Sequence, residues 1–259
     1  MRRVLRKFIS PVYKLYEKRL ERQIRKNKVP EHLAVIMDGN RRYAETLGIL
    51  PPEGHIRGKT TLENLSDWCR QLNITYLTVY AFSLENFNRE EGELNKLMDL
   101  FEESFRNAGD DPRVHENEVR VRAIGHREML PAKEVKDIEY AESKTEKYNK
   151  FNYNLAVAYG GRQEIVRSME KIAEKIKRGE LNPTEINADL ISSNLYTSGL
   201  PDPDLILRTS GEERISNFLL WQLAYSELYF ADVFWPEMRK IDFLRAIRAF
   251  QMRKRRLGH

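Results

Sequence analysis

The stretch that decides the fold is residues 32–43, which read His-Leu-Ala-Val-Ile-Met-Asp-Gly-Asn-Arg-Arg-Tyr. Residues 32–37 are an apolar run that stops at Asp38-Gly39, and this pattern predicts a buried strand followed by a tight turn. A helix is predicted to begin at Asn40 or Arg41. The stretch therefore predicts a strand that leads through a short turn directly into a helix.

The same alternation of strands and helices continues along the chain. Further strands are predicted at residues 76–82, 119–124, 153–159 and 204–208, and helices at residues 62–72, 94–105, 131–149, 165–176 and 243–250. Strands separated by helices of this length pair in parallel through crossover connections. We therefore expect an α/β fold with one open, mainly parallel sheet of five or six strands. Ligands of such sheets bind beyond the carboxyl ends of the strands.

Composition excludes several classes of protein. The 259 residues are 41% apolar, which is enough for a substantial core, and the single cysteine, Cys69, excludes an internal disulfide and a cysteine-based metal site. No apolar run approaches the roughly 20 residues needed to span a bilayer, and no apolar segment of a secretory signal follows the basic N-terminus. We expect a cytoplasmic protein.

The charge is concentrated at the N-terminus. Residues 1–28 carry a charge of +9 against a net charge of +5, so the rest of the chain is acidic at −4. Their apolar residues recur at helical spacing, which predicts one amphipathic basic helix that Pro11 could kink. This segment either lies on an anionic membrane surface, the inner face of the cell membrane, or is a solvated arm or a helix packed on its own domain. We expect no nucleic-acid partner, because no known binding motif accompanies the charge. The predicted division is an arm at 1–29 and a catalytic domain at 30–259.

Three polar clusters follow the predicted strands. After the first strand, Asp38 stands beside a helix N-terminus and arginines, which suits a Mg²⁺–diphosphate complex, although a β-turn with a side-chain cap would look the same. Residues 82–89 and 208–216 are the other two clusters. The polar residues of 82–89 are also explained by a loop capped by Ser83 or Asn86. Those of 208–216 are also explained by a surface charge network.

Two isolated residues add to these clusters. Glu227 lies in the apolar stretch 224–230, where a carboxylate is costly unless it is paired or metal-bound. His55 follows Gly54 and is either structural or placed to contact a phosphate or relay a proton. Residues 54–60 resemble a P-loop but have three residues between the glycines instead of four, and no strand precedes them, so a nucleotide triphosphatase is rejected. A DDxxD sequence is also absent.

Taken together, the three clusters resemble the signatures of the cis-prenyltransferase family. The matching stretches are residues 32–42, 80–89 and 204–221, the last continuing to 227–230, and the resemblance covers nearly the whole chain after the arm. It implies a six-stranded, mainly parallel sheet flanked by helices. Arg41, Pro51 and Tyr43 depart from common bacterial patterns and resemble the archaeal type of polycis-undecaprenyl diphosphate synthase.

The resemblance also implies the roles of individual residues. Asp38 and Glu227 would hold Mg²⁺, with Asp38 also assisting departure of the allylic diphosphate and Asn86 lying near the proton that leaves. The implied substrate-binding residues are Gly39, Asn40, Arg41, Arg42, Tyr43, His55, Ser83, Leu84, Glu85, Phe87, Arg89, Arg208, Arg214, Ile215 and Ser216.

The implied reaction is sequential cis-condensation of isopentenyl diphosphate onto a geranylgeranyl or farnesyl diphosphate primer. Its product would be a polycis-polyprenyl diphosphate of undecaprenyl class, the precursor of a glycosyl carrier lipid. The ending Arg256-Leu257-Gly258 resembles a family tail that reaches the neighbouring subunit, so a homodimer is implied. The alternative is a non-catalytic partner subunit, which should lack Asp38 or the arginines; this chain has all of them.

Overall fold

A computed structural model describes the backbone of residues 2–253 and the side chains of residues 13–253. The strands within these residues are β1 (His32–Ile36), β2 (Tyr76–Ser83), β3 (Val119–Ile124), β4 (Phe151–Tyr159), β5 (Leu205–Arg208) and β6 (Glu227–Phe230). They form one parallel sheet in the spatial order β3-β4-β2-β1-β5-β6. The predicted fold class is confirmed.

Helices fill the connections between strands. Those within the described residues are α1 (Arg2–Ile24), α2 (Asn40–Leu47), α3 (Pro51–Gln71), α4 (Glu91–Asp110), α5 (Pro112–Glu116), α6 (Ala132–Thr145), α7 (Gly161–Lys177), α8 (Ala188–Asn194) and α9 (Lys240–Met252). Helix α2 begins at Asn40, as predicted from the sequence, and α5 and α8 are short helices that the sequence pattern did not indicate.

The core lies on both faces of the sheet. In β1, Leu33 and Val35 belong to a large apolar cluster under α3, α4 and α9, whereas Ala34 and Ile36 belong to a smaller cluster on the opposite face. Successive side chains of a strand point to opposite faces, so a strand covered on both sides reads as a continuous apolar run. This explains why residues 32–37 are apolar without alternation.

The C-terminal half of α1 packs on the domain. Leu20 and Ile24 are buried in the large apolar cluster, and Glu21 pairs with Lys240 of α9 at 2.9 Å. The boundary predicted at residue 29 therefore does not separate an arm from the core, because the core includes this part of α1. Leu15, in contrast, is 70% exposed. Within residues 2–253, no helix combines the length and the apolar composition needed to cross a membrane.

Strand β6 lies at the edge of the sheet and was not predicted as a strand. It has four residues, all of them partly exposed, and it follows β5 through an irregular segment with one short 3₁₀ turn, Gln222–Tyr225, in place of a crossover helix. Its register pairs Leu205 with Glu227 and Arg208 with Phe230. Glu227 therefore lies at the amino end of the sheet.

Candidate active site

Asp38 is the centre of the polar cluster at the carboxyl ends of β1 and β5. Its Oδ2 accepts a hydrogen bond from Arg208 Nη2 at 2.7 Å, and its Oδ1 accepts one from Arg42 Nη2 at 3.2 Å. The Arg208 side chain is only 4% exposed, whereas that of Asp38 is 25% exposed. A buried guanidinium is retained at such a position only with an anionic partner. The two groups thus form a fixed ion pair whose carboxylate reaches the surface, and Arg42 adds a second guanidinium beside it.

The ion pairs continue from Arg42 to the segment after β5. Arg42 Nη1 donates to Glu212 at 2.8 Å, and Glu212 also pairs with Arg214. Arg208 Nη1 donates to Ser216 Oγ at 2.8 Å and to the backbone oxygen of Arg214. The first and third predicted clusters therefore meet in one network, as their positions after neighbouring parallel strands predicted.

The N-terminus of α2 adds backbone donors to this network. Gly39 adopts a φ of 104°, and a Cβ atom there would lie 2.9 Å from both Phe234 and Ser210. The first intrahelical bond runs from Tyr43 N to Gly39 O, and no side chain caps the N–H groups of the first turn. Free N–H groups of this kind bind anions.

Four buried polar atoms of the site have no hydrogen-bond partner within the described part of the chain. They are Asn40 Oδ1, His55 Nε2, Arg208 Nε and Ser210 Oγ. Buried polar atoms are nearly always satisfied, so a cluster of exceptions marks a place where water or a ligand binds.

The loop after β2 is ordered by its own capping residues. Ser83 and Asn86 form a reciprocal capping box on the 3₁₀ turn Leu84–Asn88, with Ser83 N donating to Asn86 Oδ1 at 2.9 Å. The structural interpretation of these two residues is therefore correct. Both side chains also line a large cavity, so capping does not exclude a role in the site.

Glu93, in the first turn of α4, connects the cations on this side of the site. Its carboxylate lies 2.7 Å from Arg89, 3.5 Å from His55 Nε2 and 3.8 Å from Arg41, and its side chain is 10% exposed. Burial, together with nearby Arg89, lowers the pKa of His55 to about 4. His55 is therefore neutral at pH 7 and can contribute a hydrogen bond but no charge.

Asn217 fixes the strained segment that carries Arg214 and Ser216. Ser216 and Asn217 have φ angles of 51° and 64°, which non-glycine residues seldom adopt. The backbone oxygen of Asn217 accepts from Gly161 N at 2.7 Å, and its Oδ1 accepts from Arg162 N at 2.9 Å. Its Nδ2 donates to Glu85 Oε1 at 3.2 Å. Asn217 thus ties this segment to the start of α7 and to the loop after β2.

A cavity of about 720 Å³ extends from the polar cluster into the large apolar cluster. Asp38, Ser83 and Arg208 line its polar end. Its walls include Leu62 of α3 and, on the sheet and α4, Leu97, Phe101, Phe105, Val121 and Leu155. The predicted helices at 62–72 and 94–105 therefore contribute tunnel wall as well as core.

The predicted site residues separate into groups by position. Asp38, Asn40, His55, Ser83, Asn86, Arg89 and Arg208 line the cavity. Arg42, Arg214 and Ser216 are connected to Asp38 and Arg208 through the ion-pair network. Gly39 belongs to the site through the N-terminus of α2, Arg41 through Glu93, and Glu85 through Asn217. Leu84 and Phe87 pack on the apolar core and Ile215 on the smaller cluster, so these three support the site from behind. Tyr43 accepts a hydrogen bond from Arg57 at 2.8 Å beside the cavity.

Glu227 does not join Asp38 within one chain. It begins β6, and three residues at ~3.3 Å each separate it from Phe230, so it lies roughly 10 Å from the carboxyl edge along the strand. Its carboxylate accepts from Arg253 Nη1 at 2.7 Å. The expectation that both carboxylates converge in a single chain is wrong, because Glu227 starts its strand whereas Asp38 follows its own.

The sequence pattern indicates no role for Glu93, Glu212 or Asn217. Glu93 stands in a helix rich in charge, where a solvated carboxylate is the ordinary interpretation. Glu212 and Asn217 lie within or beside the third cluster, so that cluster was the available signal. What the sequence could not show was the left-handed backbone that makes Asn217 a connection between loops.

The donor set of the site fits a hydrated cation bound with a diphosphate. Among the described residues, no three carboxylate, histidine or cysteine side chains gather as a metal cage. Mg²⁺ commonly takes one or two carboxylates and completes its shell with phosphate oxygens and water. Asp38 at the cavity wall satisfies this requirement if a diphosphate is present.

Comparison with known proteins identifies the class. The family model of undecaprenyl diphosphate synthase matches residues 36–258, and the chain belongs to this family of prenyltransferases. A tritrans,polycis-undecaprenyl-diphosphate synthase (geranylgeranyl-diphosphate specific) of Methanocaldococcus jannaschii is 54% identical over 96% of this chain and 90% of the relative. A relative of the same description from Methanopyrus kandleri is 51% identical over 100% of this chain and 95% of its own.

Solved structures share the fold. The lavandulyl diphosphate synthase of Lavandula x intermedia, solved with dimethylallyl diphosphate, superposes with a TM-score of 0.85 at 36% identity. The match covers 89% of this chain and 99% of that one. An undecaprenyl diphosphate synthase structure from Campylobacter jejuni gives a TM-score of 0.73 at 35% identity, over 90% and 100% of the two chains.

Proposed function

We propose that this prenyltransferase adds isopentenyl diphosphate repeatedly to an allylic diphosphate primer and forms cis double bonds. The observation that carries the proposal is the joining of two unlike environments. Fixed guanidinium groups at the carboxyl edge of the sheet open directly into a long apolar cavity. A substrate with a diphosphate head and a hydrocarbon tail matches both parts.

The two ends of the ion-pair network suit two diphosphates. The N–H groups at the start of α2, with Arg42, Arg89 and neutral His55, are placed to hold the allylic diphosphate. Arg208, Arg214 and Ser216 are placed to hold isopentenyl diphosphate. Guanidinium groups fixed before the reaction stabilise the negative charge that develops on the leaving diphosphate without reorganisation. When the allylic C1–O bond breaks, the isopentenyl double bond attacks C1, and loss of a proton from C2, near Asn86, completes the condensation.

Mg²⁺ is the proposed cofactor, held by Asp38 and the diphosphates. When bound, it neutralises charge on the leaving diphosphate. Because Arg42 and Arg208 already occupy both oxygens of Asp38, these arginines must release part of that carboxylate and turn towards the substrates. Asp38 is therefore both the counter-ion of these two arginines and the carboxylate available to the cation.

The apolar cavity accounts for the growth of the product. Each condensation adds five carbons at the diphosphate end, so the tail moves further along the cavity. The relatives named geranylgeranyl-diphosphate specific support a C20 primer and a product of undecaprenyl class. Such a product would serve as the precursor of a glycosyl carrier lipid. Farnesyl diphosphate remains the alternative primer.

A homodimer is part of the proposal. The edge strand β6 is short, and Tyr225, just before it, is 80% exposed, so residues 218–230 and α9 offer a surface for a second copy. Antiparallel contact between two β6 edges would carry Glu227 of one copy towards the carboxyl edge of the other. This is how Glu227 could still serve as a metal carboxylate. The tail Arg256-Leu257-Gly258 lies outside the described residues.

The part of α1 around Leu15 is the proposed membrane contact. Leu15 and Tyr16 are exposed on a helix whose sequence is strongly basic. Together these features suit a peripheral position on the anionic inner surface of the cell membrane, with the enzyme in the cytoplasm.

The test is incubation of the full chain with radiolabelled isopentenyl diphosphate, Mg²⁺ and C10, C15 or C20 allylic primers. We expect butanol-extractable polyprenyl products, most rapidly from the C20 primer. A well-folded protein that forms no product with any primer would refute the proposal and favour the alternative, a non-catalytic partner subunit. The intact set of Asp38 and the paired arginines argues against that alternative.

A further inference from the structure

The cavity continues through the protein to the amino edge of the sheet. Its lining runs from Ser83, opposite Tyr159, to Phe151 at the start of β4. Eight residues of strand at ~3.3 Å each give roughly 26 Å between these levels. The hydrocarbon tail of a bound substrate therefore points from the diphosphate site towards this far opening.

The far opening is lined by charged side chains. Helix α3 contributes Glu63, Asp67 and Arg70, and the junction of α4 with α5 contributes Asp110, Asp111 and Arg113. These residues change the character of the cavity from an apolar wall to an ionic rim. In contrast with Arg208 at the other end, the Arg113 side chain is 67% exposed, so the rim is in contact with water.

One side chain bridges the rim. Arg113 Nη1 lies 3.7 Å from Glu63 Oε2 and so connects α5 with α3 across the opening. The same guanidinium is held by Asp111, with Nη2 to Oδ2 at 2.7 Å and Nε to Oδ2 at 3.1 Å. Hydrogen bonding from Arg113 lowers the pKa of Asp111. Val114, the next residue of α5, lines the cavity itself, so movement of α5 would alter the rim and the wall together.

We propose that the Glu63–Arg113 bridge is a charged gate that limits the length of the product, an inference that rests on the proposed chain-elongating function. The pairing energy of the exposed bridge is small, but a tail that covers the rim takes water from its charged groups, and uncompensated desolvation of charge is costly. The next condensation is then slowed relative to release. Breaking the bridge leaves a wider opening with fewer charges, through which the tail can extend.

The experiment compares product lengths from two gate variants and one control. Glu63→Ala removes the α3 side of the bridge and leaves the Asp111–Arg113 contacts of α5 intact, and Arg113→Ala removes the other side. Lys133→Ala is the matched control, because Lys133 is 66% exposed and pairs with Glu102 of α4 at 2.7 Å outside the cavity lining. Products made from labelled isopentenyl diphosphate and a C20 primer are sized after dephosphorylation, and thermal melting checks folding.

We expect both gate variants to shift the main product upwards by at least one isoprene unit, and the control to give the parent distribution. A folded Glu63→Ala protein whose products have the parent length would overturn the gate, and so would an equal shift in Lys133→Ala. These outcomes are distinct from failure of the proposed function, in which the unaltered chain gives no product and the gate is refuted with it.

Discussion

Both ends of the cavity are rich in charged side chains, but these side chains differ in burial and in how closely they are paired. At the carboxyl edge, Arg208 is buried and bonded to both Asp38 and Ser216. At the amino edge, Arg113 and Glu63 are exposed and their closest atoms are 3.7 Å apart. Charges in a water-poor site interact strongly, whereas exposed pairs contribute little. The difference teaches that burial and fixed geometry, more than the number of charges, mark the end where chemistry occurs.

The largest effect that would sharpen this comparison is expected at Arg208. Arg208→Lys retains the charge but cannot reach Asp38 and Ser216 at once, because an ammonium lacks the planar fork of donors. We expect kcat/KM to fall by about 100-fold or more, the usual range for one fixed donor to a developing anion. Steady-state kinetics with labelled isopentenyl diphosphate measures this.

The control for this prediction is Arg178→Lys, at an exposed arginine that pairs with Glu180 at 2.8 Å far from the strand ends. This variant should retain the parent rate. If both variants lose less than threefold, burial at Arg208 has no special catalytic value and the contrast between the two ends fails.

A smaller effect is expected at Asn217, the connection behind Arg214 and Ser216. Asn217→Gly preserves the left-handed backbone but removes the side-chain bonds to Arg162 N and Glu85. Loss of bonds worth about 1.4 kcal/mol would reduce kcat/KM for isopentenyl diphosphate about tenfold. We expect KM for this substrate to rise while KM for the primer changes little.

Asn187→Gly is the comparison for Asn217. Asn187 caps α8 by accepting from Leu190 N at 2.8 Å, so its loss should lower the melting temperature without changing KM. Equal KM effects for both diphosphate substrates in Asn217→Gly would mean that Asn217 supports the fold in general and does not position one subsite.

Removing the carboxylate of Glu93 should produce a modest change in the opposite direction. In the substrate-free site Glu93 balances Arg89 and Arg41, so it competes with an incoming diphosphate. Glu93→Gln should therefore bind inorganic pyrophosphate about fivefold more tightly, corresponding to about 1 kcal/mol. Titration calorimetry tests this, with Glu102→Gln of the same helix as the control. Weaker binding in Glu93→Gln would show that its carboxylate positions the arginines more than it competes.

The last expected change concerns stability, and the group responsible is His32, a buried polar residue at the amino edge of the sheet that is kept neutral. Its ring bonds Pro201 O and Thr78 Oγ1, and burial lowers its pKa to about 4. The unfolded chain binds this proton near pH 6.5, so the stabilisation is complete above that pH and is lost as the pH falls towards 4. At pH 5 the loss is about 2 kcal/mol for this histidine.

Urea unfolding at pH 5 and pH 7.5 measures the His32 effect. His55 has a similarly lowered pKa, and Glu164 has a raised pKa that acts in the opposite direction, so His32→Gln should weaken the pH dependence without abolishing it. An unchanged pH dependence in this variant would show that His32 is not the group that titrates on unfolding.

Much of the fold could be predicted because parallel strands buried on both faces leave long apolar runs. The apolar runs at residues 32–37 and 76–82 predict β1 and β2 in this way. Asp38 and Arg208 could be predicted to lie together because each lies at the carboxyl end of its strand. Strand β6 escaped prediction because it is a partly exposed edge strand of only four residues. Because β6 was not predicted, Glu227 was expected beside Asp38 at the carboxyl edge of the sheet, whereas it lies at the amino edge.

The missed site residues have a different physical origin. Glu93 acts through burial that a helix acquires only by packing over the site, and its sequence neighbours Glu90 and Glu91 look the same. Asn217 acts through a positive φ angle that the surrounding structure imposes. The type of a residue determines neither its burial nor its φ angle, so both features can be found only from the three-dimensional structure.

The most direct test of the central claim is a crystal structure of the full chain with Mg²⁺, isopentenyl diphosphate and a non-cleavable analogue of an allylic diphosphate. The account predicts both diphosphates at the carboxyl edge, one at the N-terminus of α2 and one at Arg208, Arg214 and Ser216, with the hydrocarbon tail in the cavity. Diphosphates bound at the amino edge, or a tail lying outside the cavity, would contradict it.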